Sequence, residues 1–193
     1  MDTNSKRSRD AWLALRCQLG EASAYRELVA EFERPLAYFV AKMIGDRDAA
    51  WDVLQLVWIR VFRQIGRLQN PDQVRSWLYG IAHGLAVDHL RKRDSTQRTE
   101  REYAEQNPEA EAGEVTRFDS EEIAAVHRAL DELDLRLREV LTLFFLEDLS
   151  IAEVASIVGC PEGTVKSRLF HGRQALKQRM RVAESENGSP PMS

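Results

Sequence analysis

The side chains best suited to a chemical task lie in one run, Leu149-Ser-Ile-Ala-Glu-Val-Ala-Ser-Ile-Val-Gly-Cys-Pro-Glu-Gly-Thr-Val-Lys-Ser-Arg-Leu-Phe170. Ser150 and Glu153 have the S-x-x-E spacing of a capping box, which starts a helix at Ile151. Gly159 stops that helix after two turns, and Pro161 suits the first position of the next. Ala155 is small, as a close helix crossing requires. At about 100° per residue, Val165, Leu169, Gly172 and Leu176 share one face of the second helix. Gly163, Thr164, Ser167, Phe170, His171 and Gln174 fall opposite, with Lys166 and Lys177 at the border. Small, hydroxyl and cationic groups on the outer face of a helix that follows a short turn are suited to base edges and phosphates in a major groove. Phe170 either meets a thymine methyl or packs on another part of the protein. Gly172 inside the helix costs roughly 1 kcal/mol against alanine, and the sequence offers no reason for it.

A second set lies in the first half. Between Asp48 and Ile65, Trp51, Leu54, Trp58, Val61, Phe62 and Ile65 form a core stripe. Asp52, Gln55, Leu56, Ile59 and Arg63 share another face, where two aliphatics among charges mark either a partner surface or the seat of a third helix. Further on, Tyr79 and His83 are four residues apart and opposite Trp77, Ile81 and Leu85, with Arg75 beside them. Aromatic and cationic groups on one face suit contact with a single strand. A buried or merely solvated Tyr79 is the plainer alternative.

Catalytic and metal chemistry find no matching pattern. The chain has no P-loop, G-x-S-x-G or H-E-x-x-H motif. His83, Asp88 and His89 do not share a helix face, so no metal site is expected, and no cofactor. Cys17 and Cys160 lack CxxC spacing, which argues against a disulfide framework. No apolar run is long enough to cross a bilayer, and Met1 to Arg9 is polar, so a cytoplasmic protein without membrane insertion is expected.

The elements that must position these groups are all helical: no stretch alternates as a strand would. Helices are expected near Asp10–Leu19, Ala22–Ile44, Asp48–Ile65, Pro71–Lys92, Ser120–Leu133, Leu135–Leu146, Ile151–Val158 and Pro161–Val182. Gly20, Gly45 and Gly66 fall at helix ends, where left-handed backbone is expected. The net charge of −4 conceals a pattern. Residues 60–93 hold seven cations against two acids, residues 150–181 six against two, and residues 94–122 between them ten acids against three arginines. The expectation is an all-α chain of two small helical domains, 10–93 and 119–182, joined by a flexible acidic linker over 94–118 and followed by a disordered tail over 183–193.

With these residues in place, the sequence resembles the extracytoplasmic-function (ECF) type of RNA polymerase sigma factor. Leu137-Arg-Glu-Val-Leu-Thr-Leu-Phe-Phe-Leu-Glu-Asp-Leu-Ser150 and Gly163-Thr-Val-Lys-Ser-Arg168 are similar to its region-four helix-turn-helix. Asp52-Val-Leu-Gln55, Ser76-Trp-Leu-Tyr-Gly-Ile-Ala82 and Asp88-His-Leu-Arg-Lys-Arg93 are similar to its region two. The resemblance implies that Thr164, Lys166, Ser167, Phe170 and His171 meet bases or phosphates of the promoter's minus-thirty-five element, with Arg168 and Arg173 at the backbone. It implies docking of the Asp52, Gln55, Leu56, Ile59, Arg63 face on the clamp helices of the largest subunit of core RNA polymerase. It assigns Ser76 to Arg93 to minus-ten reading and promoter melting, and it implies an anti-sigma factor as a further partner. The sequence departs from the pattern at Leu56, where an acid is usual, and at Gly84, where asparagine is common.

Two other functions fit parts of the chain. A helix-turn-helix regulator that is not a sigma subunit accounts for the second half but not for the basic block at 60–93. A helical interaction module without DNA contact leaves the chemistry of Lys166 to Lys177 unused.

Overall fold

The computed structural model describes the backbone of residues 3–101 and 121–187. Among the described residues all regular structure is helical, in two compact units, one on each side of residues 102–120.

The first unit contains α1 (Thr3–Gln18), α2 (Ala22–Ile44), α3 (Arg47–Gln64) and α4 (Val74–Arg101). Two 3₁₀ turns, Ile65–Arg67 and Pro71–Gln73, lie in the connection from α3 to α4. Gly45 ends α2 at φ 74°, its N–H donating to the Ala41 carbonyl. Asp46 then caps α3 by accepting from the N–H groups of Asp48 and Ala49 at 2.9 and 3.1 Å. Gly66, unlike Gly20 and Gly45, does not adopt positive φ; the 3₁₀ turn makes that unnecessary. The core is built from Leu28, Phe32, Leu36, Phe39, Leu54, Val57, Ile65, Leu78 and Tyr79, all essentially inaccessible. Phe39 and Tyr79 meet edge to face at 5.4 Å. At the corner from α1 to α2, Arg16 bonds Glu27 and Glu21. Both Cys17 and Cys160 are free thiols, and burial pushes Cys17 up to about 11.

Several boundaries differ from expectation. Helix α1 begins seven residues before Asp10, and α4 continues through Arg101. Residues 94–101 of the expected linker are therefore helix; the linker's remainder falls within 102–120, outside the described residues. In α3 the buried arc is Ala50, Val53, Leu54, Val57, Trp58 and Val61. Trp51 (44% exposed) and Phe62 (43%) sit at its edge rather than in the core. The helix packs on both α2 and α4, which centres the buried arc on Val57.

The second unit contains α5 (Glu121–Asp131), α6 (Leu135–Leu141), α7 (Ile151–Val158) and α8 (Glu162–Asn187), with a π-helical turn at Thr142–Leu146. Asp134 caps α6 through the Arg136 N–H. Helix α8 continues five residues into the expected tail; 188–193 lie outside the described residues. Val140, Leu141, Leu143, Leu149, Val154, Val165 and Leu169 form its core.

The structure accounts for Gly172. A Cβ there would stand 2.9 Å from Cδ1 and 3.1 Å from Cγ of Leu141, which is itself buried. The glycine lies where α8 passes close to Leu141 of α6. Gly172→Ala is therefore expected to destabilise this unit by about 1–3 kcal/mol, although alanine is the better helix former. All four tryptophans lie in the first unit, so the loss should appear by circular dichroism in a transition that tryptophan fluorescence does not follow. Adding Leu141→Ala to Gly172→Ala should cost less than the sum of the single changes. A Gly172→Ala protein more stable than the parent would show that Leu141 moves aside freely.

Candidate nucleic-acid interface

The turn between α7 and α8 is built as its sequence suggests. The Ser150 N–H donates to Oε2 of Glu153 at 2.8 Å, and the Glu153 N–H donates to Oγ of Ser150 at 3.3 Å, which closes the capping box. Gly159 ends α7 at φ 66°, and the Cys160 N–H reaches back to the Ala155 carbonyl. Two helices joined by so short a turn hold α8 rigidly against α6 and α7.

Helix α8 then separates its residues by face. Val165 and Leu169 are buried, whereas Lys166, Ser167, Phe170, His171, Arg173, Gln174 and Lys177 are exposed. Thr164 is half-buried. Phe170 is 53% exposed and its ring meets that of His171 edge to face at 5.4 Å. Packing of Phe170 inside this unit is thereby excluded. The outer face offers three cations, a hydroxyl, an imidazole, an amide and an apolar ring, a set able to contact both phosphates and base edges.

Arg168 does not belong to that face. Its guanidinium bonds Oε1 of Glu139 on α6 at 3.1 Å, and the carboxylate is nine-tenths buried. Expected at the DNA backbone, Arg168 instead ties α8 to α6 and fixes its roll. The signal is in the sequence: Arg168 precedes Leu169 and lies about 60° from the Val165 stripe, and Glu139 is the one acid within α6.

Helix α4 requires a larger correction. Tyr79 is fully buried, so it has no surface on which a base could stack. Arg75 is 8% exposed; its Nη2 and Nε lie 2.8 and 3.1 Å from Oδ2 of Asp10, and the guanidinium stands 4.9 Å above the ring of Phe32. Both side chains are structural because α4 packs on α1, α2 and α3 together, which buries a wider arc than one stripe. The more open arc runs through Ser76, Gly80, His83, Gly84, Val87 and Arg91. Of the three residues expected to face a strand, only His83 is on it. Neither Gly80 nor Gly84 has a neighbour within 4 Å of an added Cβ, so the helix backbone is open to approach there. At the basic end, Arg91 is exposed and Arg93 donates to the Ile44 carbonyl at 3.3 Å.

On α3, Asp52, Gln55, Leu56, Ile59 and Arg63 are all exposed, Leu56 by 51% and Ile59 by 47%. Among the described residues of this unit, no third helix packs over them. Trp51 and Phe62 extend the apolar part of this surface. Phe62 stacks on Trp58 and meets Tyr25 edge to face. Among the described residues no group of His, Cys, Asp and Glu is disposed to hold a metal, and no helix is long and apolar enough to cross a membrane.

Comparison with known proteins agrees with this architecture. Residues 28–96 match the family model of sigma-70 region 2, and residues 123–176 that of sigma-70 region 4. The chain is 32% identical to the RNA polymerase sigma-H factor of Pseudomonas aeruginosa over 176 residues, covering 86% of this chain and 91% of that one. It is 29% identical to the ECF RNA polymerase sigma-E factor of Escherichia coli K12 over 185 residues, covering 91% and 96%. The fold is shared with the sigma factor RpoE solved with the anti-sigma factor NepR from Bartonella quintana (TM-score 0.67, 20% identity, 82% of this chain and 97% of that one). It is shared also with CnrH solved with the cytosolic domain of CnrY (TM-score 0.62, 23% identity, 93% and 99%). With both regions present in order, and a relative of that identity aligned over most of its length, the chain belongs to the sigma-70 family of RNA polymerase sigma factors, in its ECF branch.

Proposed function

We propose that the chain is an alternative sigma subunit, which binds core RNA polymerase and directs it to a distinct set of promoters. The observation that carries this reading is the sorting of α8: a core face of Val165, Leu169 and Gly172, and an outer face of Lys166, Ser167, Phe170, His171, Arg173, Gln174 and Lys177 with no described element over it. That face reads the minus-thirty-five element, Thr164 lying at its margin. The open arc of α4, with His83 and Arg91, meets the minus-ten region, and the exposed face of α3 docks on the polymerase. The chain itself performs no bond chemistry; phosphodiester formation belongs to the polymerase. The protein works in the cytoplasm, where promoter and polymerase are. An anti-sigma factor is a further expected partner, since relatives of the same fold have been solved bound to one.

Run-off transcription from genomic fragments, with core RNA polymerase and with or without the protein, tests this directly. New, discrete start sites should appear only when the protein is added. Their absence with active core enzyme would leave the regulator reading, in which the second unit binds DNA without serving as a sigma subunit.

Within this reading Phe170→Ala is expected to relax selectivity near the minus-thirty-five position by about 1–3 kcal/mol. Competition among promoters mutated one base at a time measures it. Lys166→Ala should instead weaken all sequences alike if it meets phosphate, with a shallower salt dependence. An unchanged promoter profile for Phe170→Ala would remove the ring from base contact.

A further inference from the structure

We infer that Gln18 is a positioning residue for promoter engagement, holding the connection between α3 and α4 in the shape from which α4 starts. The inference rests on the reading of α4 as the promoter-facing helix, but its residue lies elsewhere. Helix α1 precedes residues 28–96, so what α1 does is not carried by the family match.

The side-chain amide of Gln18 has two N–H groups, and two backbone carbonyls receive them. Nε2 lies 3.1 Å from the Ile65 oxygen and 2.7 Å from the Leu68 oxygen, 47 and 50 residues along the chain. The Leu68 N–H donates to the same Ile65 oxygen at 3.1 Å, so the turn is closed on itself and then fastened to α1. After it, Asn70 accepts the Asp72 N–H at 3.1 Å and its carbonyl accepts the Gln73 N–H at 3.0 Å. Ser76 Oγ then donates to the Gln73 carbonyl at 3.0 Å, and the next turn is already α4.

Eight residues before Gln18 on the same helix, about 12 Å away, Asp10 holds Arg75 in the first turn of α4. Helix α1 therefore fastens the connection at its α3 end through Gln18 and α4 at its start through Asp10. Between these two points Arg67, Gln69, Asn70, Asp72 and Gln73 are polar and exposed, and apolar anchorage comes from Ile65, Leu68, Pro71 and Val74. Both 3₁₀ turns rest on α1, and the Gln18 bonds fix the first of them by its backbone carbonyls, which sets the path of the chain into the second.

Gln18→Met keeps the length of the side chain and removes both donors. Holoenzyme carrying it should form with wild-type affinity, and the first unit should lose a few degrees of melting temperature, as the loss of two modest hydrogen bonds requires. Opening of a duplex promoter, followed by permanganate reactivity of unpaired thymines, should slow about tenfold, which corresponds to about 1.4 kcal/mol on the barrier. The ranking of promoters that differ only in the minus-ten element should change as well. Gln18→Lys returns a donor within reach of the two carbonyls and should recover most of the opening rate. A role confined to stability predicts otherwise: every promoter would decline alike, in proportion to the fall in melting temperature. That result, or wild-type opening and ranking in Gln18→Met, overturns the inference alone. Failure of the wild-type protein to initiate on any fragment overturns the promoter reading and this inference with it.

Discussion

Asp10→Ala should destabilise the first unit by about 3–5 kcal/mol, because it leaves the Arg75 guanidinium buried without its carboxylate. The pair is sealed: the two side chains are 9% and 3% exposed, and the guanidinium is covered on one side by the Phe32 ring. Water cannot easily replace Asp10 there, so the lost partner costs more than a surface ion pair would. Denaturant unfolding followed by tryptophan fluorescence isolates the effect, since Trp12, Trp51, Trp58 and Trp77 all lie in this unit. The double change Asp10→Ala with Arg75→Leu should recover much of the loss, because an apolar pair needs no charge compensation. A single Asp10→Ala variant within 1 kcal/mol (roughly the value of an exposed pair) of the parent would mean that solvent reaches Arg75 after all.

That ion pair also marks where sequence reasoning ran short. Local signals were legible: the Ser150–Glu153 box, the stops at Gly45 and Gly159, and the outer face of α8 are where the sequence puts them. Each depends on residues within a turn or two of one another, so helical periodicity alone suffices to find them. Tyr79, Arg75 and Arg168 lie elsewhere than the wheel of their own helix suggests, for a different reason. A wheel gives the angle between residues on one helix, but it does not say how many neighbours that helix has. Helix α4 has three, so its buried arc takes in Tyr79 and Arg75, and a cation expected at the promoter strand turns out to pair with an acid 65 positions away. Arg168 is the same case at a separation of 29. Trp51 and Phe62 err the other way. As large aromatics they fall on the apolar stripe of the wheel, yet their rings extend an exposed surface beside Ile59 and Leu56.

That exposed surface carries the second large expected effect. Replacing Asp52 and Gln55 together by arginine should weaken binding to core RNA polymerase at least about tenfold, while helicity and unfolding stay as in the parent. Both side chains are exposed on α3, and neither has a described element packed over it, so arginine, a good helix former, should be accommodated there. The change alters the net charge of the face by +3, from an acid and an amide to two cations beside Arg63. Leu56 and Ile59 remain to supply apolar contact, which makes the double change a test of electrostatic fit rather than of burial. Leu56→Glu separates the two contributions. It supplies the acid that the resemblance would place there and removes an exposed aliphatic, so affinity rises if charge governs the docking and falls if apolar contact does. Sedimentation or fluorescence anisotropy with core enzyme measures both variants under the same salt, since the charge-dependent part is screened as ionic strength increases. Wild-type affinity in the double arginine variant would move the interface off α3, and the exposed apolar surface of Trp51, Leu56, Ile59 and Phe62 would then require a different partner.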